Sequence, residues 1–122
     1  MAENRDYGSR KTLTRQERLR KQDDFNHVLE NGKRFSGRSL IVIWISNALE
    51  YPRLGVIVSR KHGNAVQRNR IKRRFRAIFR NNRFRISAPV DLVMIPKIPS
   101  AESRYRDFED DFIRFTEQDY FA

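Results

Sequence analysis

The spacing of hydrophobic positions changes several times along the 122-residue chain, and each change marks an element. Phe25, Val28 and Leu29 recur at i, i+3 and i+4, which predicts a helix with Asp23 or Asp24 as its N-cap and a stop at Asn31-Gly32. Leu40–Ser46 (LIVIWIS) and residues 54–59 (LGVIVS) are short runs rich in β-branched side chains, so each predicts a strand, with the turn at 47–52. His62-Gly63-Asn64 breaks that pattern. Ile71, Phe75, Ile78 and Phe79 then restore a helical period over residues 66–79. Residues 90–95 (VDLVMI) predict a third strand, closed by Pro96 and Pro99. Tyr105, Phe108, Phe112 and Phe115 predict a last helix, for which Ser100 and Ser103 are the candidate caps. Its opposite face is acidic (Glu102, Asp107, Glu109, Asp110, Asp111). Residues 1–14 have no apolar period and read as a flexible basic tail; residues 15–122 read as one domain. Helices layered on a mixed sheet of three or four strands, an α+β fold, is the economical architecture.

Composition narrows the class. There is no cysteine, which removes disulfides, thiolate metal sites and cysteine nucleophiles, and suits a reducing cytoplasm. The longest apolar run, 40–45, is too short to cross a bilayer, and no apolar stretch follows the N-terminal basic residues as in a signal peptide. The net charge is +11, unevenly spread. Residues 1–50 hold ten basic and seven acidic side chains, residues 91–122 hold four and eight, and residues 51–90 hold twelve basic and none acidic. A block of that kind repels itself, so a polyanion is its natural partner.

Helical phasing resolves the block. At ~100° per residue, Ile71, Phe75, Ile78 and Phe79 form a core-facing stripe. Asn69, Arg73, Arg76 and Arg80 fall on the far side, flanked by Arg68, Arg70, Lys72 and Arg74. Solvated helix faces normally mix both signs, and this one does not. Guanidinium groups meet phosphates bidentately and stack on bases, which suits structured RNA. Arg60 and Lys61 precede the turn, Gly63 is placed for a positive φ or a close backbone approach, and Asn64 opens the helix. Loop cations and helix N-terminal amides then share one side, an arrangement suited to phosphate. A basic-region DNA helix would lead into heptads, and none is present. A membrane-surface helix would leave its apolar face exposed, whereas this one has strands to cover it.

The stretch GVIVSRKHGNAVQRNRIKRRFR, Gly55 to Arg76, resembles the signature of the bacterial ribonuclease P protein family, with Arg68-Asn69-Arg70 as its hallmark. The resemblance extends to Leu19, Asp24-Phe25, Val28, Gly32 and Asp91, and covers roughly Leu19 to Phe115. It implies a fold like domain 2 of ribosomal protein S5, in the order α-β-β-β-α-β-α. The sheet would be mixed and four-stranded, with a left-handed βαβ crossover against the usual rule. One strand more than the pattern predicts is implied, within 33–39 or by splitting the others. The resemblance also implies a role as protein subunit of a cytoplasmic, bacterial ribonucleoprotein that matures the 5′ end of precursor tRNA. Hydrolysis, with Mg2+, would belong to the RNA subunit, with one protein per RNA. By position, Arg60, Lys61, Asn64, Arg68, Asn69, Arg70, Lys72, Arg73, Arg76 and Arg80 would face RNA. Phe25, Val28 and Leu29 would line the cleft for the precursor's 5′ leader. Leu29 departs from the family, many members of which carry an aromatic residue there; Ala77 and Arg74 are further departures.

No catalytic residue is expected in the chain itself. Metal-dependent nucleases gather carboxylates around their ions, and the basic block has none. His27 and His62 are the only histidines and have no obvious paired partner; His62 reads as a turn residue or RNA contact. A small basic ribosomal protein would share the size and charge but has no reason to carry the Arg68-Asn69-Arg70 triplet.

Overall fold

A computed structural model describes residues 13–97 and 103–118. The order is α1 (Gln22–Asn31), β1 (Lys33–Ser36), β2 (Leu40–Ser46), β3 (Arg53–Val56), α2 (Ala65–Asn81), β4 (Val90–Pro96) and α3 (Tyr105–Thr116), with short 3-10 turns at Arg15–Glu17, Arg60–His62 and Arg83–Arg85. The four strands form one sheet in the order β1-β2-β4-β3. β2 pairs antiparallel with β1 and β4, while β3 runs parallel to β4, so the connection through α2 crosses over the sheet. The additional strand lies at Lys33–Ser36. This is within the 33–39 segment that the resemblance implied; its sequence, KRFS, offers one apolar residue in four, as an edge strand allows, and so shows no period of its own.

The sheet is covered on both faces. On one side Leu40, Val42, Trp44, Leu54, Val90, Leu92 and Met94 meet α2 (Ile71, Phe75, Ile78, Phe79) and α3 (Phe108, Phe112, Phe115). Aromatic edges join these two helices, with the Phe75 and Phe108 rings 4.8 Å apart and nearly perpendicular. On the other side Val93, with Ile43, Ile45, Ile57 and Ile95, meets Val28 and Phe25 of α1 and Leu19. β4 lies between the layers, and every residue in it except Ile95 is buried.

Several boundaries differ from the sequence expectation, each for a local reason. α1 starts at Gln22 after Lys21, so Asp23 and Asp24 occupy its first turn, where carboxylates favour the helix dipole, and do not cap it. Regular β3 ends at Val56, although the Ile57 amide still donates to the Met94 carbonyl at 3.1 Å. α3 is capped by Arg104, whose amide donates to Asp107 Oδ2 at 2.9 Å. Ser103 instead offers its carbonyl to Arg74, while Pro99, Ser100 and Glu102 lie outside the described residues. Leu13 is buried in the core, and Thr14 hydrogen-bonds Glu17 through both its amide and its hydroxyl. Those two residues therefore belong to the domain; the rest of the predicted tail, 1–12, is outside the described range.

Asp111 ties α3 to the start of β2. Its carboxylate accepts from the Ser39 amide and hydroxyl, both at 2.6 Å, and from the Leu40 amide at 3.2 Å, and it also meets Arg114. Burial works to raise its pKa, but the hydrogen bonds from Ser39 and Arg114 outweigh burial and hold it below the ordinary 3.8. A folded-state pKa below the unfolded one contributes stability that is present above the unfolded value and is lost as pH falls through the folded one. Asp111→Asn should therefore lower stability by roughly 2–3 kcal/mol at neutral pH. It should also flatten the acid limb of a urea-midpoint profile below about pH 4. An unchanged acid limb would remove Asp111 from this role.

Candidate nucleic-acid interface

The turn before α2 is built from buried and capped groups. Arg60 and Lys61 lie exposed on a 3-10 turn, whereas His62 beside them is buried. The Ser59 amide donates to His62 Nδ1 at 2.9 Å, and the imidazole also hydrogen-bonds the Pro96 backbone. His62 thus joins the turn to the end of β4. Gly63 takes φ 130°, and a Cβ there would lie 2.5 Å from Gln67 Oε1. Asn64 then caps α2: its Oδ1 accepts from the Gln67 amide at 2.9 Å, while its own amide donates to Gln67 Oε1 at 2.8 Å. The first-turn amides expected to face phosphate are thus partly occupied by the cap.

Along α2 the buried stripe is Ile71, Phe75, Ile78 and Phe79, as the phasing predicts. Asn69, Arg70 and Arg73 are exposed, and Arg68 and Lys72 are half-buried at the margins, with Arg68 Nε near the Asn64 carbonyl at 3.4 Å. The outward stripe is narrower than expected. Arg80 is half-buried, close enough to Tyr105 for its charge to act on the phenol. Arg74 turns towards α3 and donates to the Ser103 carbonyl at 3.1 Å. Arg76 is half-buried, and burial, followed by the Arg18 charge, pushes its pKa down. Two cations of the basic block are neutralised inside the fold. Arg53 forms a two-pronged pair with Asp91 (2.9 and 2.7 Å), and Arg83 meets Glu17. Arg68, Arg70, Lys72 and Arg73 have no carboxylate partner among the described residues.

A groove of about 360 Å³ runs along the open edge of β3, lined by Gln22, Phe25, Val56, Ile57, Val58 and Lys72. One wall comes from α1 and the other from α2, so the groove exists only because the two helices lie on opposite faces of the sheet. Phe25 can sit in it because Gly55 lies below: a Cβ on Gly55 would fall 2.5 Å from Phe25 Cε1. Of the three residues expected to line a cleft, only Phe25 does so. Val28 is wholly buried beneath α1, and Leu29 is exposed but outside the groove lining. Val56 and Val58 were not singled out from the sequence; the glycine inside a strand pattern at Gly55 was the available signal for a close approach there. Among the described residues no group of three or more His, Cys, Asp or Glu side chains is arranged to hold a metal ion, and no helix is long and apolar enough to cross a membrane.

Comparison with known proteins is consistent along the chain. The family model for ribonuclease P matches residues 13–118. The ribonuclease P protein component of Syntrophus aciditrophicus is 41% identical over 96 residues, which is 79% of this chain and 81% of that one. The Thermotoga maritima protein component is 42% identical over 86 residues, 70% and 74% of the respective chains. Among solved structures, the Thermotoga maritima RNase P protein in complex with 1-(4-fluorophenyl)-2-thiourea superposes with a TM-score of 0.75 at 32% identity, covering 82% of this chain and 97% of that one. The Staphylococcus aureus RNase P protein gives 0.77 at 28%, covering 87% and 98%.

His62 supplies a test of how the interface is held. Burial, and then the neighbouring Lys61 charge, lower its pKa below 6.5. Its contribution to stability is therefore complete above that value and declines as pH falls through the folded-state pKa. Urea midpoints measured from about pH 7.5 to 5 should fall, and His62→Gln should remove most of that fall. A wild-type midpoint that stays level over the range would contradict the assignment.

Proposed function

The chain belongs to the bacterial ribonuclease P protein family, whose members are accessory subunits of a tRNA-processing endoribonuclease, and from that premise we propose how its own surface serves the holoenzyme. The exposed end of α2, with Arg60, Lys61, Asn69, Arg70 and Arg73, binds the catalytic RNA, with Arg68 and Lys72 at its margins. The β3-edge groove receives the single-stranded 5′ leader of precursor tRNA, with Phe25 as the ring on which a base stacks and Lys72 as the cation opposite. One protein serves one RNA, in the cytoplasm, and the hydrolytic Mg2+ ions are held mainly by the RNA.

The observation that carries this reading is the coincidence of two features on one edge. An unneutralised cationic helix face lies beside a groove with an apolar floor of Val56, Ile57 and Val58. Phosphate contacts supply affinity and position, and stacked bases need an aromatic surface. The chain's own residues can do both but gather no carboxylate cluster for metal-assisted hydrolysis among those described. Their task is to hold the leader in a defined register beside the RNA that cuts it.

Reconstitution tests the assignment. The purified chain should leave precursor tRNA intact, and adding it to a ribonuclease P RNA should restore cleavage at Mg2+ concentrations where the RNA alone is slow. Cleavage by the isolated protein would overturn the division of labour. Replacing Arg70 and Arg73 together by Ala should flatten the log–log salt dependence of RNA affinity by roughly 1.4–1.8, the contribution of two phosphates. Phe25→Leu should reduce the preference for leader-bearing substrate over mature tRNA while leaving the RNA-subunit affinity in place. Equal loss of both affinities would assign Phe25 to the core alone.

A further inference from the structure

The turn that carries Arg60 and Lys61 is fastened by a group that can titrate. Its own main-chain bonds run from the His62 amide to the Ser59 carbonyl at 2.9 Å and from the Gly63 amide to the Arg60 carbonyl at 3.2 Å. The buried His62 ring adds the rest. Nδ1 accepts from the Ser59 amide at 2.9 Å, and the Ser59 hydroxyl lies 3.4 Å from the same nitrogen. The ring also bonds the backbone of Pro96, a residue that has no N–H and so can only accept. The imidazole thus accepts once and donates once, which is the capacity of its neutral form.

An imidazolium cannot keep that arrangement. Both of its nitrogens donate, so the Ser59 amide would face another donor, and a buried N–H left unmade is costly. The charge finds no acid to meet on the elements packed around it. Arg60 and Lys61 lie on the same turn, and β4 ends in Pro96 with Lys97 following. α2 packs on the turn and brings Asn64, Gln67 and Arg68 at its start. Burial, and then Lys61, oppose the charged ring and outweigh the backbone contacts with Pro96 and Ser59 that favour it. The effect reaches α2, because Gly63 follows His62 directly at φ 130° and Asn64 then caps the helix through Gln67. A turn that reopens at Ser59–His62 moves Arg60 and Lys61 and disturbs the entry to the cationic helix.

We propose that His62 is a pH-sensitive latch: the neutral ring holds the turn in the shape that engages RNA, and protonation releases it. The latch follows from the turn alone; its link to RNA rests on the function proposed above. Its sign separates it from simple electrostatics. An extra positive charge close to a polyanion strengthens binding as pH falls, whereas the latch weakens it. Linkage is reciprocal, so RNA in turn favours the neutral ring.

Two measurements on the full chain test it. Affinity for a bacterial ribonuclease P RNA, followed at constant ionic strength from about pH 7.5 to 5.5, should fall, with a limiting slope of about one in log Kd against pH. His62→Gln should give a level profile, since its amide can accept from Ser59 and donate to Pro96 without titrating. His27→Gln, an exposed change on α1, should leave the fall in place. Lys61→Gln removes a charge that opposes protonation, so the fall should begin at higher pH. Separately, NMR titration of the His62 ring should give a lower pKa in the RNA complex than in the free chain. An affinity that stays level or rises towards pH 5.5, or a His62 pKa raised by RNA, would overturn the latch. Far-UV circular dichroism that declines in step with affinity would mean global unfolding and would sink it too. Absence of RNA binding at pH 7.5 overturns the function proposed above and this coupling with it, whereas a reversed profile overturns the coupling alone.

Discussion

Val90–Pro96 runs through the middle of the sheet with a layer on each side, and its neighbour β3 is parallel to it. A parallel pair cannot be closed by a hairpin, so the chain between them must leave the sheet plane and return along its length. α2 is that return. Its four large apolar residues hold it to the sheet, and the rest of its circumference is left to face α3 or solvent. The position of nearly every cation in the basic block follows from this one pairing. α1, meanwhile, is held on the opposite face by Val28 and the Phe25–Gly55 approach. The two helices therefore overhang the same open edge of β3 from opposite sides, and the groove is the space between them.

Electrostatics then separates structural from functional charge. Arg53 and Arg83 are neutralised by buried carboxylates, Asp91 and Glu17, that lie far away in sequence. Buried pairs of this kind are costly to break from one side, so they act as fixed points. Arg70 and Arg73 have no such partner and project into solvent from a rigid helix. Arg76 is of a third class, half-buried on α2 with its pKa pushed down by burial and then by the Arg18 charge. Among the described residues no group of three or more His, Cys, Asp or Glu side chains is arranged to hold a metal ion.

Much of this was legible in the chain. The stripe Ile71, Phe75, Ile78 and Phe79 followed from a 3.6-residue period, and β2 from an unbroken β-branched run. β1 shows no period, because KRFS has too little apolar content; only the family resemblance placed a further strand within 33–39, where pairing with β2 sets it at Lys33–Ser36. The cleft was legible only at Phe25. Val28 shares the helical face of Phe25, but the same periodicity describes a residue under the helix and one at its margin, and only the sheet beneath decides which is covered. Arg76 and Arg80 were assigned outward by phase, yet both are half-buried, and the charges of Arg18 on Arg76 and of Arg80 on Tyr105 act between segments 58 and 25 residues apart in the chain.

By itself the sequence determined what is local or compositional: where the chain is helical or extended, that its middle third is cationic without relief, and through Arg68-Asn69-Arg70 which family it resembles. These are properties of spacing and residue type along one dimension. Tertiary structure decided which cations are neutralised and which apolar residues border a groove and not a core. Each of those depends on distances between segments remote in the chain. They are set by the parallel pairing of β3 with β4 and the burial of both sheet faces, which no local pattern encodes.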